Sequence, residues 1–122
     1  SCNNTLIIFD WDDTLLCTSL LQQPNAGGLD SDGLAALGKL VLSVLNLSES
    51  LGMTAIVTNS THGWVQETAA RFLPELLPSL VRIPVIYARE EYSQIFPKSR
   101  LQWKLQTFLE LQRLNASTLT NI

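Results

Sequence analysis

Positive charge is scarce in this sequence, which has eight lysine and arginine residues against eleven aspartate and glutamate residues and a net charge of −3. The basic residues form no stripe that could follow a nucleic-acid backbone, so nucleic acid is not an expected partner. Long hydrophobic runs are also absent, since no uninterrupted apolar segment approaches the roughly 20 residues that cross a bilayer. No secretory signal pattern opens the chain. We therefore expect a soluble, cytoplasmic protein without a membrane partner.

Cysteine and histidine are too few to build a disulfide or zinc framework. Cys2 and Cys17 fit no metal-ligand spacing, and we expect both to be reduced thiols. The single histidine, His62, lies beside a run of capping residues and is more typical of a helix start than of a catalytic base. The remaining composition, 46% hydrophobic and 16% charged over 122 residues, is that of an ordinary globular protein. We expect one domain over residues 1–122.

Short apolar runs that are rich in strand formers recur along the chain. They predict strands at residues 6–9, 54–58 and 84–88, and a fourth strand that has barely begun at 118–122. Longer stretches with helical spacing separate them. Strands that alternate with helices indicate an α/β fold with a doubly wound parallel sheet in three αβα layers. In such sheets, ligands bind outside the carboxyl ends of the strands.

Helical periodicity predicts three helices between these strands. The first should be capped by Asp30 or Ser31 and should stop at Gly52. The second has apolar positions from residue 64 to 76 and is interrupted by Pro74 and Pro78. The third runs from about residue 101 to about 115. Residues 16–30 and the segment that ends at Pro97 are expected to be loops.

Acidic residues directly follow the first predicted strand. Asp10 ends the apolar run and Asp12 lies two residues later, so an extended chain would point both side chains the same way. Two carboxylates in one small space raise one pKa or recruit a cation, and oxygen ligands of this kind suit Mg²⁺. The alternative is that these acids only cap a turn, which is the role we expect for Asp13.

Residues 9–15, Phe-Asp-Trp-Asp-Asp-Thr-Leu, resemble the first motif of the haloacid dehalogenase superfamily of phosphatases and phosphotransferases. The resemblance implies a Rossmann-like fold and the cleavage or transfer of a phosphomonoester group through an aspartyl phosphate on Asp10. It implies that Asp12 is the general acid and base. It also implies a Mg²⁺ cofactor, bound by the Asp10 carboxylate and the backbone carbonyl of Asp12. This chemistry requires that a metal ion offset the repulsion between the negative nucleophile and the phosphate. It also requires an acid beside the leaving oxygen.

Thr58 ends the second predicted strand and resembles the family's second motif. With Asn59 and the free amide groups of the helix that follows, it could bind phosphate oxygens. Capping of that helix would explain the same residues. The family's third motif is a lysine, for which Lys98 and Lys104 are candidates. We favour Lys104, because a lysine on the inward stripe of an apolar helix needs an ion-pair partner. Lys98 could be an ordinary surface charge.

The family's fourth motif, a pair of acids that completes the metal site, has no counterpart here, since the last acidic residue is Glu110. We therefore expect the domain either to be incomplete at its carboxyl end or to bind Mg²⁺ weakly. The segment at 16–30 is too short for a cap domain. Capless relatives have open sites, which implies a large phosphorylated substrate such as a phosphoprotein. Small phosphomonoesters are also possible substrates.

Two other functions are compatible with parts of the pattern. A non-catalytic binding or scaffold domain would explain the absent fourth motif. A receiver-like signalling domain also gathers acids after its first strand, but it needs an aspartate at the end of the third. The third predicted strand runs into Tyr87, Ala88, Arg89 and Glu90, which contain no aspartate. We rank the phosphatase first and the receiver third.

Overall fold

The computed structural model describes residues 5–21 and 30–120, with side chains up to residue 115. Its strands are β1 (Leu6–Phe9), β2 (Met53–Thr58) and β3 (Val85–Tyr87). Its α-helices are α1 (Thr18–Leu21), α2 (Ser31–Leu51), α3 (Trp64–Phe72), α4 (Leu77–Arg82), α5 (Ala88–Tyr92) and α6 (Arg100–Thr120), with a 3₁₀ turn at Pro74–Leu76. The mixed α/β composition expected from the sequence is confirmed.

The three strands form one parallel sheet in the order β1-β2-β3. Phe9 is paired in register with Ile56, and Thr58 with Tyr87. All three strands therefore end at the same edge of the sheet. This edge is where the sequence places its acidic residues and its threonine.

Alternating strand residues pack into two hydrophobic clusters. The register neighbours Phe9, Ile56 and Val85 belong to a larger cluster with α2, α3 and α4, and Ile8, Val57 and Ile86 belong to a smaller one with α5 and α6. Because successive strand side chains point to opposite faces, the clusters lie on opposite faces of the sheet. Trp103 of α6 belongs to the smaller cluster, and its indole N–H donates to the carbonyl of Phe96 at 2.7 Å.

Helix α2 begins and ends at the predicted residues. Asp30 accepts a hydrogen bond from the backbone N–H of Gly33 at 2.8 Å, which caps the first turn. At its end, Gly52 passes so close to the backbone of Thr5 that a Cβ atom there would collide with the Thr5 carbonyl oxygen. The helix is also joined to β2 by a buried hydrogen bond of 2.6 Å between the hydroxyls of Ser48 and Thr54.

By length and composition alone, α2 could cross a bilayer, with a mean hydropathy of 1.4 over its most apolar window. Small polar residues divide its leucines and valines, so the sequence contains no long uninterrupted apolar run at this helix. The core helix of a soluble protein passes the same test. Val41 and Leu45 of α2 are buried in the larger cluster, whereas Leu40 and Leu47 are 62% and 60% exposed.

Three sequence expectations about elements are wrong. The segment after β3 contains the short helix α5, and residues 16–30 contain α1, although 22–29 lie outside the described residues. Residues 118–120 belong to α6 and do not start a strand, while 121 and 122 also lie outside. Neither glycine nor proline occurs after Pro97, so nothing in the sequence stops the helix near Asn115.

Candidate active site

A polar cavity of about 360 Å³ lies at the carboxyl ends of β1 and β2. Its lining contains every site residue favoured from the sequence. The lining residues are Asp10, Asp12, Thr58, Asn59, Ser60, Arg89, Arg100, Trp103 and Lys104. Lys98, the second candidate lysine, is exposed and does not line the cavity.

The side chains of Asp10 and Lys104 form an ion pair. The Lys104 ammonium nitrogen lies 3.1 Å from Asp10 Oδ2, with the two side chains 28% and 39% exposed. Lys104 is placed by its neighbour Trp103, which fixes this turn of α6 against the smaller cluster. The inward position predicted for Lys104 thus has its partner, and that partner is the predicted nucleophile.

The Asp12 carboxylate accepts three side-chain hydrogen bonds. Trp64 Nε1–H and the Thr18 hydroxyl donate to Oδ1 at 2.9 and 2.8 Å, and the Ser60 hydroxyl donates to Oδ2 at 2.7 Å. A hydroxyl can also accept, whereas an indole N–H can only donate. If Asp12 takes up a proton, Oδ2 is therefore the oxygen that can carry it, with Ser60 reversing its role.

Thr58 is connected to Asp12 through Ser60. The Thr58 hydroxyl donates to Ser60 Oγ at 3.0 Å and accepts from the Ser60 backbone N–H at 3.1 Å. Thr58 is 1% exposed, so its hydroxyl is held firmly in the cavity wall. To donate to a phosphate oxygen, that hydroxyl has to turn away from Ser60, which needs only rotation about one bond.

Asn59 joins the end of β2 to the start of α6. Its amide nitrogen donates to the backbone carbonyl of Arg100 at 3.2 Å. Within residues 5–21 and 30–115, its buried Oδ1 has no hydrogen-bond partner. Asn59 therefore holds Arg100 beside the cavity, while the donor that we expected to meet phosphate is used for this link.

The loop after β1 is fixed by Trp11 and Asp13. Trp11 is fully buried, and its indole N–H donates to Thr68 at 2.9 Å. Asp13 adopts a left-handed conformation with φ of 57° and accepts from the backbone N–H and hydroxyl of Ser19 at 2.8 and 2.6 Å. The hydrogen bonds from Ser19 hold the pKa of Asp13 below its usual value. The turn role predicted for Asp13 is confirmed.

The donor atoms fit a magnesium ion that keeps most of its ligands as water and phosphate. Among the described residues, no three histidine, cysteine or acidic side chains lie close enough together to hold a metal ion by themselves. Asp10 offers carboxylate oxygens, each of which already accepts one bond, from Lys104 and from the Trp11 backbone N–H at 2.9 Å. Mg²⁺ is commonly held by one or two carboxylates with water and substrate phosphate. The Asp10 carboxylate and the Asp12 carbonyl are compatible with that arrangement.

Sequence reasoning missed Ser60, Arg89 and Arg100. Arg89 lies two residues after β3, so the rule that sites gather at the carboxyl ends of parallel strands could have identified it. Ser60 lies among the capping residues beside His62, and capping alone would explain its place in the sequence. His62 does not line the cavity; it lies 3.3 Å from Glu90, and its side chain is 73% exposed.

No protein-family model, curated protein or solved structure matches this chain. The function is therefore argued from the motif at residues 9–15 and from the geometry around it. That geometry consists of a nucleophile candidate paired with a lysine, a second carboxylate held by three donors, and a polar cavity that contains both.

Proposed function

We propose that this protein is a Mg²⁺-dependent phosphomonoester hydrolase or phosphotransferase of the haloacid dehalogenase type. The observation that carries the proposal is the distance of 3.1 Å between Lys104 Nζ and Asp10 Oδ2, at the end of the strand that carries the motif. Nothing local relates Asp10 to Lys104 in the sequence. A sheet edge that brings together the nucleophile, the acid and the lysine in motif order supports this class of enzyme.

In the proposed first half-reaction, Asp10 attacks the phosphorus atom. A bond forms between a carboxylate oxygen and phosphorus, and the bond from phosphorus to the ester oxygen breaks. The leaving oxygen takes a proton from Asp12 Oδ2, beside the Ser60 hydroxyl. Lys104 offsets the negative charge that a phosphate brings next to Asp10.

In the proposed second half-reaction, water replaces Asp10 on phosphorus. Asp12, now ionised, takes a proton from the water as it attacks, and the acyl phosphate bond breaks to regenerate the Asp10 carboxylate. Trp64 and Thr18 hold Asp12 through Oδ1 in both steps, which leaves Oδ2 free to exchange the proton. Bound Mg²⁺ would supply positive charge that reduces the repulsion between Asp10 and the phosphate oxygens.

The architecture supports the same proposal. The parallel order β1-β2-β3, with hydrophobic clusters on both faces, is the arrangement expected in part of a doubly wound, three-layer sheet. No inserted cap domain interrupts the described residues between β1 and α2. The proposed enzyme is therefore of the capless kind, with a site that opens directly to solvent.

The test is hydrolysis of p-nitrophenyl phosphate in the presence of Mg²⁺. We expect Asp10→Asn to lower kcat by roughly 10³-fold or more, since it removes the nucleophile. Lys104→Met should lower kcat/KM by roughly 10²-fold, the usual cost of removing one group that stabilises the transition state. Lys98→Met is the matched control and should stay close to wild type.

Activity that is unchanged by Asp10→Asn would refute the proposal. Loss of activity in Lys98→Met but not in Lys104→Met would refute the role given to Lys104. A non-catalytic scaffold domain is the alternative, because the described residues offer few metal ligands. It predicts that the wild-type protein neither hydrolyses the ester nor binds beryllofluoride with Mg²⁺.

A further inference from the structure

Two arginines at the cavity have no acidic partner in the part of the chain that the structure describes. Arg89 and Arg100 line the cavity, and within residues 5–21 and 30–115 neither guanidinium group forms a hydrogen bond or an ion pair. Arg82 and Arg113, elsewhere on the surface, are each paired with a glutamate at 3.1 and 2.6 Å. Arg71 also forms no hydrogen bond or ion pair among the described residues, but its guanidinium group lies over the Phe72 ring, 5.0 Å from the ring centroid. Arg89 and Arg100 are therefore the arginines in the described part of the chain that contact neither an acid nor an aromatic ring, and both are at the candidate site.

The backbone fixes where both arginines begin. Arg89 follows Ala88, which is fully buried directly after β3. Arg100 is the first residue of α6, and its carbonyl is bound by Asn59 at the end of β2. Both side chains are exposed, so their guanidinium groups can meet a ligand without a cost of removal from the core.

Positive side chains outnumber negative ones in the lining of the cavity. Asp10 and Asp12 supply two negative charges, while Lys104 and the two arginines supply three positive ones. Lys104 is already paired with Asp10 and serves the phosphoryl group there. A guanidinium group is planar and binds phosphate or carboxylate through two parallel hydrogen bonds.

We propose that Arg89 and Arg100 bind a second oxyanion of the substrate, carried by its leaving group. The preferred substrate is then a small phosphomonoester that has a further phosphate or carboxylate. A cavity of about 360 Å³ is within the size range of small-ligand sites. This inference rests on the proposed function, because it assigns the leaving group of that reaction.

The test compares three esters of primary alcohols: propyl phosphate, propane-1,3-diol bisphosphate and 4-phosphooxybutanoate. We expect kcat/KM for at least one of the two esters with a second anionic group to exceed that for propyl phosphate roughly tenfold, a modest ratio because the arginines are exposed. The bisphosphate and the carboxylate distinguish the two kinds of second group. In the double variant Arg89→Gln/Arg100→Gln, the ratio should fall to about one. Arg113→Gln removes one positive charge of the same kind elsewhere on the surface and should keep the ratio.

Equal kcat/KM for all three esters would overturn the proposal, as would a ratio that survives in the double variant. An equal fall of the ratio in Arg113→Gln would assign the preference to net charge and would also overturn it. So would a preference for acidic over neutral phosphopeptides without any preference among the small esters.

Failure of the proposed function can be recognised separately. Calorimetric binding of propyl phosphate and of the bisphosphate to the Asp10→Asn variant measures the preference without turnover. If no ester is hydrolysed by wild type but the bisphosphate still binds more tightly through the two arginines, the hydrolase proposal fails and the oxyanion site stands. If hydrolysis occurs but binding shows no such preference, the oxyanion site fails alone.

Discussion

Replacing Trp64 with phenylalanine should impair catalysis more than stability. The change keeps the ring that packs on the larger cluster and removes one indole N–H, which donates to Asp12 Oδ1 at 2.9 Å. A hydrogen bond to a charged group contributes about 1.5–3 kcal/mol. Thr18 still donates to the same oxygen and Ser60 to the other, so we expect the low end of that range. At 1.4 kcal/mol per factor of ten, this is a fall in kcat of roughly tenfold.

Trp64→Phe should change kcat and KM to different extents. Trp64 does not line the phosphate cavity, so KM should change little while kcat falls. Trp11→Phe is the matched control, because it also removes one indole N–H at 2.9 Å, but from a bond to Thr68. This variant should lose about 1–3 kcal/mol of unfolding free energy with kcat within about threefold of wild type. Initial rates with p-nitrophenyl phosphate and urea unfolding measure both quantities. Equal losses of kcat in Trp64→Phe and Trp11→Phe would refute the positioning of Asp12 by Trp64.

Three further predictions concern stability, measured by urea unfolding. Thr54→Val keeps the side-chain volume but leaves the buried Ser48 hydroxyl without its partner, so it should cost about 1–3 kcal/mol, whereas adding Ser48→Ala should restore part of that loss. Asp13→Asn should be less stable than wild type at neutral pH, because the bonds from Ser19 favour the ionised form. Since the folded-state pKa is lowered, this stabilisation is present above the unfolded-state pKa of Asp13 and disappears as the pH falls through the folded-state one. Gly52→Ala should cost about 1–3 kcal/mol, because its Cβ would collide with a backbone carbonyl oxygen ahead of β1.

Each of these stability predictions has a contradicting result. Single effects at residues 48 and 54 that simply add would show that the two hydroxyls are not coupled. A difference between wild type and Asp13→Asn that stays constant from neutral to acid pH would exclude the charge as its cause. A Gly52→Ala variant as stable as wild type would contradict the predicted collision. Gly63→Ala is a useful contrast, since a Cβ there meets no atom but the positive φ of 84° disfavours it.

The sequence was sufficient where a local pattern determines the structure. The run before Asp10 identified β1, and the inward position of Lys104 on an apolar helix predicted that it has a partner. The contacts of Asp12 could not be predicted from the sequence, because Trp64 and Thr18 contact it only after α1 and α3 have packed. Nothing in the sequence predicted where α6 ends, since helical periodicity and strand propensity compete in its last residues.

The arginines illustrate the same limit. In the sequence, Arg100 resembles any surface cation, as Lys98 does, and Arg89 differs from them only by following the third predicted strand. Only the sheet order, which brings the residues after β3 and those at the start of α6 to one edge, gives them a common neighbour. The two arginines are candidate binding residues because of where the fold places them, and the number of charges in the sequence does not single them out.

The place of β1 in the sheet has a consequence for how the site could be completed. Within the described residues, β1 pairs only with β2, and all four of its residues are partly exposed. One side of its backbone is therefore open to a further strand, whether from this chain or from another molecule. A strand that added there in parallel would finish beside Asp10, and the loop after it would form a new wall of the cavity. The β1 edge is thus also the direction from which further side chains would reach Asp10.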